Sequence, residues 1–292
     1  MSNNDNYHQL TRTFQRLSRF SHLSAIASWD MFTMMPSGGS KARGEALAEL
    51  SVLEHQLLTD PKVATWIAAA QQEDLNDVEQ ANLREMSRLH HQASLLPESL
   101  VEAKSLAGSR CEHAWRSQRP ANDWEGFSEN LKEVVKHSRE EARLRAEATG
   151  CSPYDALLDI FEPGMTSAQL DVLFADVKSW LPDLLNKVVA KQSQQSLIAP
   201  VGPFPTAIQR ELGLETMAQL GFDFTAGRLD ISAHPFCGGV PVDVRITTRY
   251  DENELLSALF GVIHETGHAR YEQNLPHSWS GQPIALARST AI

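Results

Sequence analysis

Residues 251–276 read "DENELLSALFGVIHETGHARYEQNLP". Asp251 and Glu254 form a D-x-x-E capping arrangement, which predicts a helix starting at Glu252. It is predicted to run to about Asn274, where Leu275-Pro276 ends it. Inside it, His264, Glu265 and His268 spell H-E-x-x-H. Positions i and i+4 lie one above the other on a helix, so the two imidazoles share a face and are close enough to hold one small ion. Glu265 is turned by about 100° and falls beside that ion rather than on it. This is the arrangement in which a metal acidifies a water and a neighbouring carboxylate removes its proton. Ser257 and Gly261 continue the histidine stripe as small residues, which predicts room for a substrate. The competing explanation is two surface histidines beside an unrelated glutamate. With 11 His in the chain, chance supplies roughly 0.03 such motifs, so the metal reading is preferred.

A third ligand is harder to find. A metzincin site needs Gly at 271 and His at 274, where this chain has Tyr271 and Asn274. A thermolysin-like site takes a glutamate from a later helix, and no Asp or Glu follows Glu272. His277, His234 and a ligand beyond Ile292 stay open.

Around this stretch the sequence reads as mostly helical. Tyr7, Leu10, Phe14 and Leu17 recur at helical spacing, and Leu47, Leu50, Leu53 and Leu57 do the same. Asp60-Pro61 offers an N-cap with a proline at N1. Thr166 with Gln169 forms a capping box, and Gly150 stands where a left-handed residue closes a helix. The stretch "KEVVKHSREEARLRAEA" alternates charges at helical spacing and predicts a solvated face. One segment changes period. In "GRLDISAHPFCGGVPVDVRITTRYD", "RLDIS" and "VDVRITTRY" read as strands separated by Pro and a Gly pair. The predicted class is mainly α, a single domain over 1–292, with one small antiparallel β element beside the H-E-x-x-H helix.

Composition narrows the partners. The 26 Lys+Arg against 37 Asp+Glu give a net charge of −11, which argues against nucleic acid or an anionic membrane surface. The start "MSNNDNYHQL" has no basic or apolar leader region, and no run is long enough to span a bilayer. Cys111, Cys151 and Cys237 are far apart and odd in number, so they are expected to be reduced, buried thiols in a cytoplasmic protein. Trp29-Asp30 and Met34-Met35-Pro36 are expected to pack in the core.

At these residues the chain resembles the carboxypeptidase Taq family of metallocarboxypeptidases. The likeness runs from "WDMFTMMPSGGSKARGEALAEL" through "SPYDALLDIFEPGMT" to the last residue. Three family motifs stand in order: His234-Pro235-Phe236, the D-x-R-x-T stretch from Asp243 to Thr247, then His264 to His268. The resemblance implies a helical fold enclosing a groove, a small sheet near the metal, and frequently a homodimer. It implies release of C-terminal residues from peptides with broad specificity, using zinc or sometimes cobalt. His264 and His268 are then ligands, Glu265 the base, and His234 and the Arg245 region line the substrate groove. Members are longer, and their next motif, H-E-S-Q, supplies a glutamate ligand about 30 residues after the first histidine. That falls beyond Ile292. The expectation is therefore an N-terminal part of a family member, with apolar helix faces left uncovered. The alternative is a catalytically inactive truncated fragment that keeps only binding or association roles. Endopeptidase activity is a weaker alternative.

Overall fold

The computed structural model of the protein describes residues 5–196, 198 and 200–289. Among the described residues nine α-helices precede the sheet: α1 (Asp5–Thr33), α2 (Ser40–Thr59), α3 (Pro61–Ala70), α4 (Asp77–Ser94), α5 (Glu98–Gln118), α6 (Trp124–Thr149), α7 (Pro153–Phe161), α8 (Ser167–Gln192) and α9 (Thr206–Gln219). Strands β1 (Gly227–Ile231), β2 (Phe236–Val240) and β3 (Asp243–Thr248) follow, and α10 (Leu255–Gln273) comes after them.

Local signals set many of the boundaries. Asp60 accepts the Lys62 amide ahead of Pro61, and Thr166 and Gln169 close a reciprocal box. Gly150 ends α6 at φ 74°, a conformation in which a Cβ would meet the following carbonyl. Tyr7, Leu10, Phe14 and Leu17 all point into one core, with Val63, Ile67, Leu83 and Met86 opposite them. A second core joins α9, the sheet and α10 through Met217, Leu229, Val244, Ile246, Val262 and Ala269. This second core is what seats α10.

Five expectations change. The sheet lies where the strand pattern put it, but it is mixed: β1 runs parallel to β3, and β2 pairs with β3 antiparallel. The sequence reading took the Gly pair for a breaker, yet Gly238 and Gly239 sit inside β2. Gly239 takes φ 94° and lies so close to Asp243 that a Cβ would be 2.1 Å from its carbonyl oxygen. The α10 helix begins at Leu255 rather than Glu252, because the Asp251 carboxylate turns back on the Asn253 amide (2.9 Å) instead of capping the helix. On α6 the charges are not all solvated: Glu141 and Arg145 are buried. Among the cysteines, Cys111 is buried, but Cys151 is exposed.

The α8 helix has no buried residue along its whole length. Trp180, Leu184 and Val188 follow one another at i, i+4 and i+8, and are 48%, 48% and 41% exposed. The total accessible surface is 17735 Å², against about 12,400 Å² for a self-contained fold of this mass. A 1-anilinonaphthalene-8-sulfonate-type dye is therefore expected to bind strongly. The Leu184→Glu, Val188→Lys double variant should bind less of it at unchanged helicity by circular dichroism. Equal binding by that variant would remove α8 as the source of the patch.

Candidate metal centre and peptidase site

The face of α10 turned to the core carries Ala258, Val262, Glu265, Thr266 and Ala269. The opposite side presents Leu256, Phe260, Ile263 and Tyr271 to solvent, at 45%, 63%, 36% and 40% exposure. His264 and His268 stand at the edge between the two. Their rings meet edge to face with centroids 4.8 Å apart, and the two Nε2 atoms are 3.2 Å apart. Two nitrogens bound to one tetrahedral ion at about 2.0–2.1 Å stand about 3.3 Å apart. The donor pair therefore has the separation and the chemistry to hold a zinc-like ion. Among the described residues no third His, Cys, Asp or Glu joins them. His277 opens an exposed 3-10 turn (His277–Trp279). The apolar run after Pro283 makes a second such turn, Pro283–Ala285, and its last residues lie outside the described ones.

Glu265 is 6% exposed. Burial raises its carboxyl above the ordinary glutamate range, while the positive ends of His264, His268 and His234 pull it back only in part. No hydrogen bond from the described residues occupies it. A carboxylate that is partly desolvated and unclaimed is a stronger base than a solvated one. Cys237, on β2, has its thiol pushed up to about 12 by burial and then by the negative charges of Glu265 and Glu272. That surrounding favours the protonated thiol over the thiolate.

Of the two other predicted residues, His234 belongs to the segment that packs on this helix, through Pro235 at Gly261. His234 is exposed, and its Nδ1 is 2.7 Å from the Pro235 carbonyl oxygen. Arg245 is turned the other way: its guanidinium grips Asp243 through two bonds (2.9 and 3.0 Å) and lies 4.4 Å from the Trp29 ring centroid. His22 on α1 reaches the same Asp243 at 3.3 Å. The D-x-R pair thus ties β3 to α1, and Trp29 is packed against Arg228 as well as Arg245. Gly261 does not open space for a substrate. A Cβ there would lie 3.6 Å from Pro235 Cγ and 3.6 Å from Thr248 Oγ1, ordinary contact distances, so the His-Pro-Phe segment already covers the helix at this position.

Two residues near the site escaped the sequence reading. Glu272 lies four residues past His268; burial raises its carboxyl and His268 partly lowers it. Its i, i+4 spacing was a visible signal. Thr247 closes the D-x-R-x-T motif and is fully buried at 0% exposure. Nothing in its spacing announced its partners. An apolar cavity of about 560 Å³ lies elsewhere, between α1, α2 and the segment after α10, with Leu17, His22, Glu54 and Leu286 in its wall. None of the H-E-x-x-H side chains lines it.

Comparison with known proteins identifies the family. The profile of the carboxypeptidase Taq (M32) metallopeptidase family matches residues 9–292. Thermostable carboxypeptidase 1 of Thermus thermophilus is 38% identical over 96% of this chain, and carboxypeptidase 1 of Bacillus subtilis is 33% identical over 95%. The matched regions are 57% and 56% of those relatives, so the chain spans a little over half their length. The solved structure of Trypanosoma cruzi metallocarboxypeptidase 1 superposes with a TM-score of 0.86 at 47% identity, covering 98% of this chain and 58% of that one. By profile, identity and fold alike, the chain belongs to the carboxypeptidase Taq metallopeptidase family.

Proposed function

We propose that the protein acts as a metal-dependent carboxypeptidase, releasing C-terminal amino acids from peptides with broad specificity. The observation that carries this reading is the pair of Nε2 atoms 3.2 Å apart with the buried Glu265 one position from the first histidine. His264 and His268 would hold the ion, zinc or alternatively cobalt, in a homodimeric, cytoplasmic protein. When bound, that ion supplies Lewis acidity to a water and to the scissile carbonyl. Glu265 removes the proton from the attacking water and returns it to the leaving amine. His234 stands over the same flank as a substrate contact, and Arg245 lies behind it, holding the sheet in place.

A second reading is favoured by one observation, the lack of a third ligand among the described residues. A two-nitrogen site binds metal weakly, so residues 1–292 alone would bind an ion without turning over peptide. The test measures zinc stoichiometry together with release of the terminal residue from a peptide with a free or an amidated C-terminus. Zinc bound with release only from the free acid supports the first reading. Zinc without turnover supports the second, cleavage of both peptides supports an endopeptidase, and no zinc at either histidine rejects both catalytic readings and leaves only an association role.

A further inference from the structure

We infer that Thr247 and Ser232 are positioning residues: their hydroxyls form a hydrogen-bond relay that sets His234 on the flank of α10, with its Nε2 lone pair presented to an N–H of the substrate. The nature of that substrate rests on the peptidase reading. The relay rests on the geometry alone.

The topology creates the need for it. Both β1 and β2 pair with β3, on opposite sides, and Ile231 faces Thr248 while Phe236 faces Thr247. Residues 232–235 therefore arch over the C-terminal end of β3, where no strand can pair with them. Only the Ser232 amide finds a ladder-like partner, the Thr248 carbonyl at 3.1 Å. Pro235 has no N–H to contribute.

Proton arithmetic then fixes the direction of the remaining bonds. The His234 carbonyl can only accept, so the Ser232 hydroxyl donates to it at 2.6 Å. That uses the single Ser232 proton. The 2.7 Å contact between the two hydroxyl oxygens must therefore carry the Thr247 proton. Thr247 Oγ1 is left as an acceptor and receives the Phe236 amide at 3.1 Å. The Phe236 carbonyl, 3.5 Å away, is too far to compete for that proton. The relay thus clamps the carbonyl before Pro235 and the amide after it. Both hydroxyls are buried, with Thr247 at 0% and Ser232 at 7% exposure.

Two contacts turn the clamp toward the site. Pro235 packs over Gly261, one turn before Glu265 on α10. His234 Nδ1 lies 2.7 Å from the Pro235 carbonyl, which can only accept, so Nδ1 carries the proton. In the neutral ring Nε2 is then an acceptor. The ring itself is exposed, and a backbone N–H of a peptide is the donor that would meet it.

The test reads the ring directly. With ¹⁵N-histidine labelling, the neutral His234 ring should show a protonated Nδ1 and an unprotonated Nε2. Thr247→Val and Ser232→Ala should lose that preference and show averaged tautomers, while Thr247→Ser should keep it. Peptide affinity, or KM where turnover exists, should worsen by about threefold to tenfold in the two disruptive variants, with kcat little changed. An Nε2-protonated ring in the unmodified chain overturns the inference even if no variant folds. Wild-type ring signals in both disruptive variants overturn it as well. Absence of peptide binding in every protein, with the tautomer behaviour as expected, rejects the peptidase reading and leaves the relay standing.

Discussion

Glu265→Gln is expected to slow release of C-terminal amino acids by about 10²–10⁴-fold while leaving metal content unchanged. The amide has nearly the same shape, so the rings of His264 and His268, with Nε2 atoms 3.2 Å apart, keep their positions. What disappears is the group able to take a proton. In the wild type, burial raises the Glu265 carboxyl and the neighbouring histidines offset this only in part; a base with a raised pKa takes a proton from water more readily than an ordinary glutamate. Turnover and metal stoichiometry are measured on both proteins. The comparison needs a chain with turnover; if residues 1–292 have none, the substitution is made in a chain extended by the C-terminal part found in the relatives. Undiminished release by the glutamine variant would remove Glu265 from the chemistry. Loss of metal in that variant would mean that the carboxylate serves as a ligand instead.

The largest stability effect is expected at a site far from α10. Glu141→Gln should destabilise the fold by about 3–5 kcal/mol, because it leaves a buried guanidinium without its counter-charge. Arg145 donates to Glu141 from one turn along α6 at 2.8 Å, and Lys104 on α5 bonds the other carboxylate oxygen. The Arg145 and Glu141 side chains are 9% and 6% exposed. Burial pushes the Glu141 carboxyl up, but bonds and charge from Lys104 and Arg145 outweigh it, and the net shift is downward. A carboxyl lowered in the folded state contributes stability that is fully present above the ordinary glutamate range. That stability is lost as pH falls through the lowered value. Urea unfolding of the wild type and the variant should therefore differ most near neutral pH and converge in acid. A Glu141→Leu, Arg145→Met double variant should recover most of the loss, since the buried guanidinium leaves with its partner and the ammonium that remains, Lys104, is 35% exposed and reaches water. A single variant within 1 kcal/mol of the wild type at neutral pH would show that solvent already screens the pair.

The helices were legible because their information is short-range. The Tyr7–Leu17 stripe, the Thr166–Gln169 box and the Gly150 stop each involve residues within a few turns, and each stands in the structure as read. The same holds for His264 and His268: one helical turn brings their nitrogens together wherever the helix is packed. The misreadings trace to particular residues. The charged stripe on α6 contains surface pairs such as Arg143 with Glu140 and Glu147. It also contains Glu141, whose burial depends on Lys104, 37 residues away. No periodicity separates these two kinds of glutamate. The Gly pair in β2 misled for a different reason: Gly239 at φ 94° meets Asp243 across the tight β2–β3 hairpin, so the glycine serves the strand next to its turn and does not end it.

By itself the sequence determined the mainly helical class, the capped ends, and a helix able to bring two imidazoles and one carboxylate to a metal. Those features follow from backbone geometry over one or two turns. Only the tertiary structure decided the rest: β1 parallel to β3, the arch clamped by Thr247, Arg245 held by Asp243 against Trp29, and α8 without a covering layer. Each of these depends on contacts between distant residues, whose geometry is set when apolar faces pack and buried polar groups must find partners.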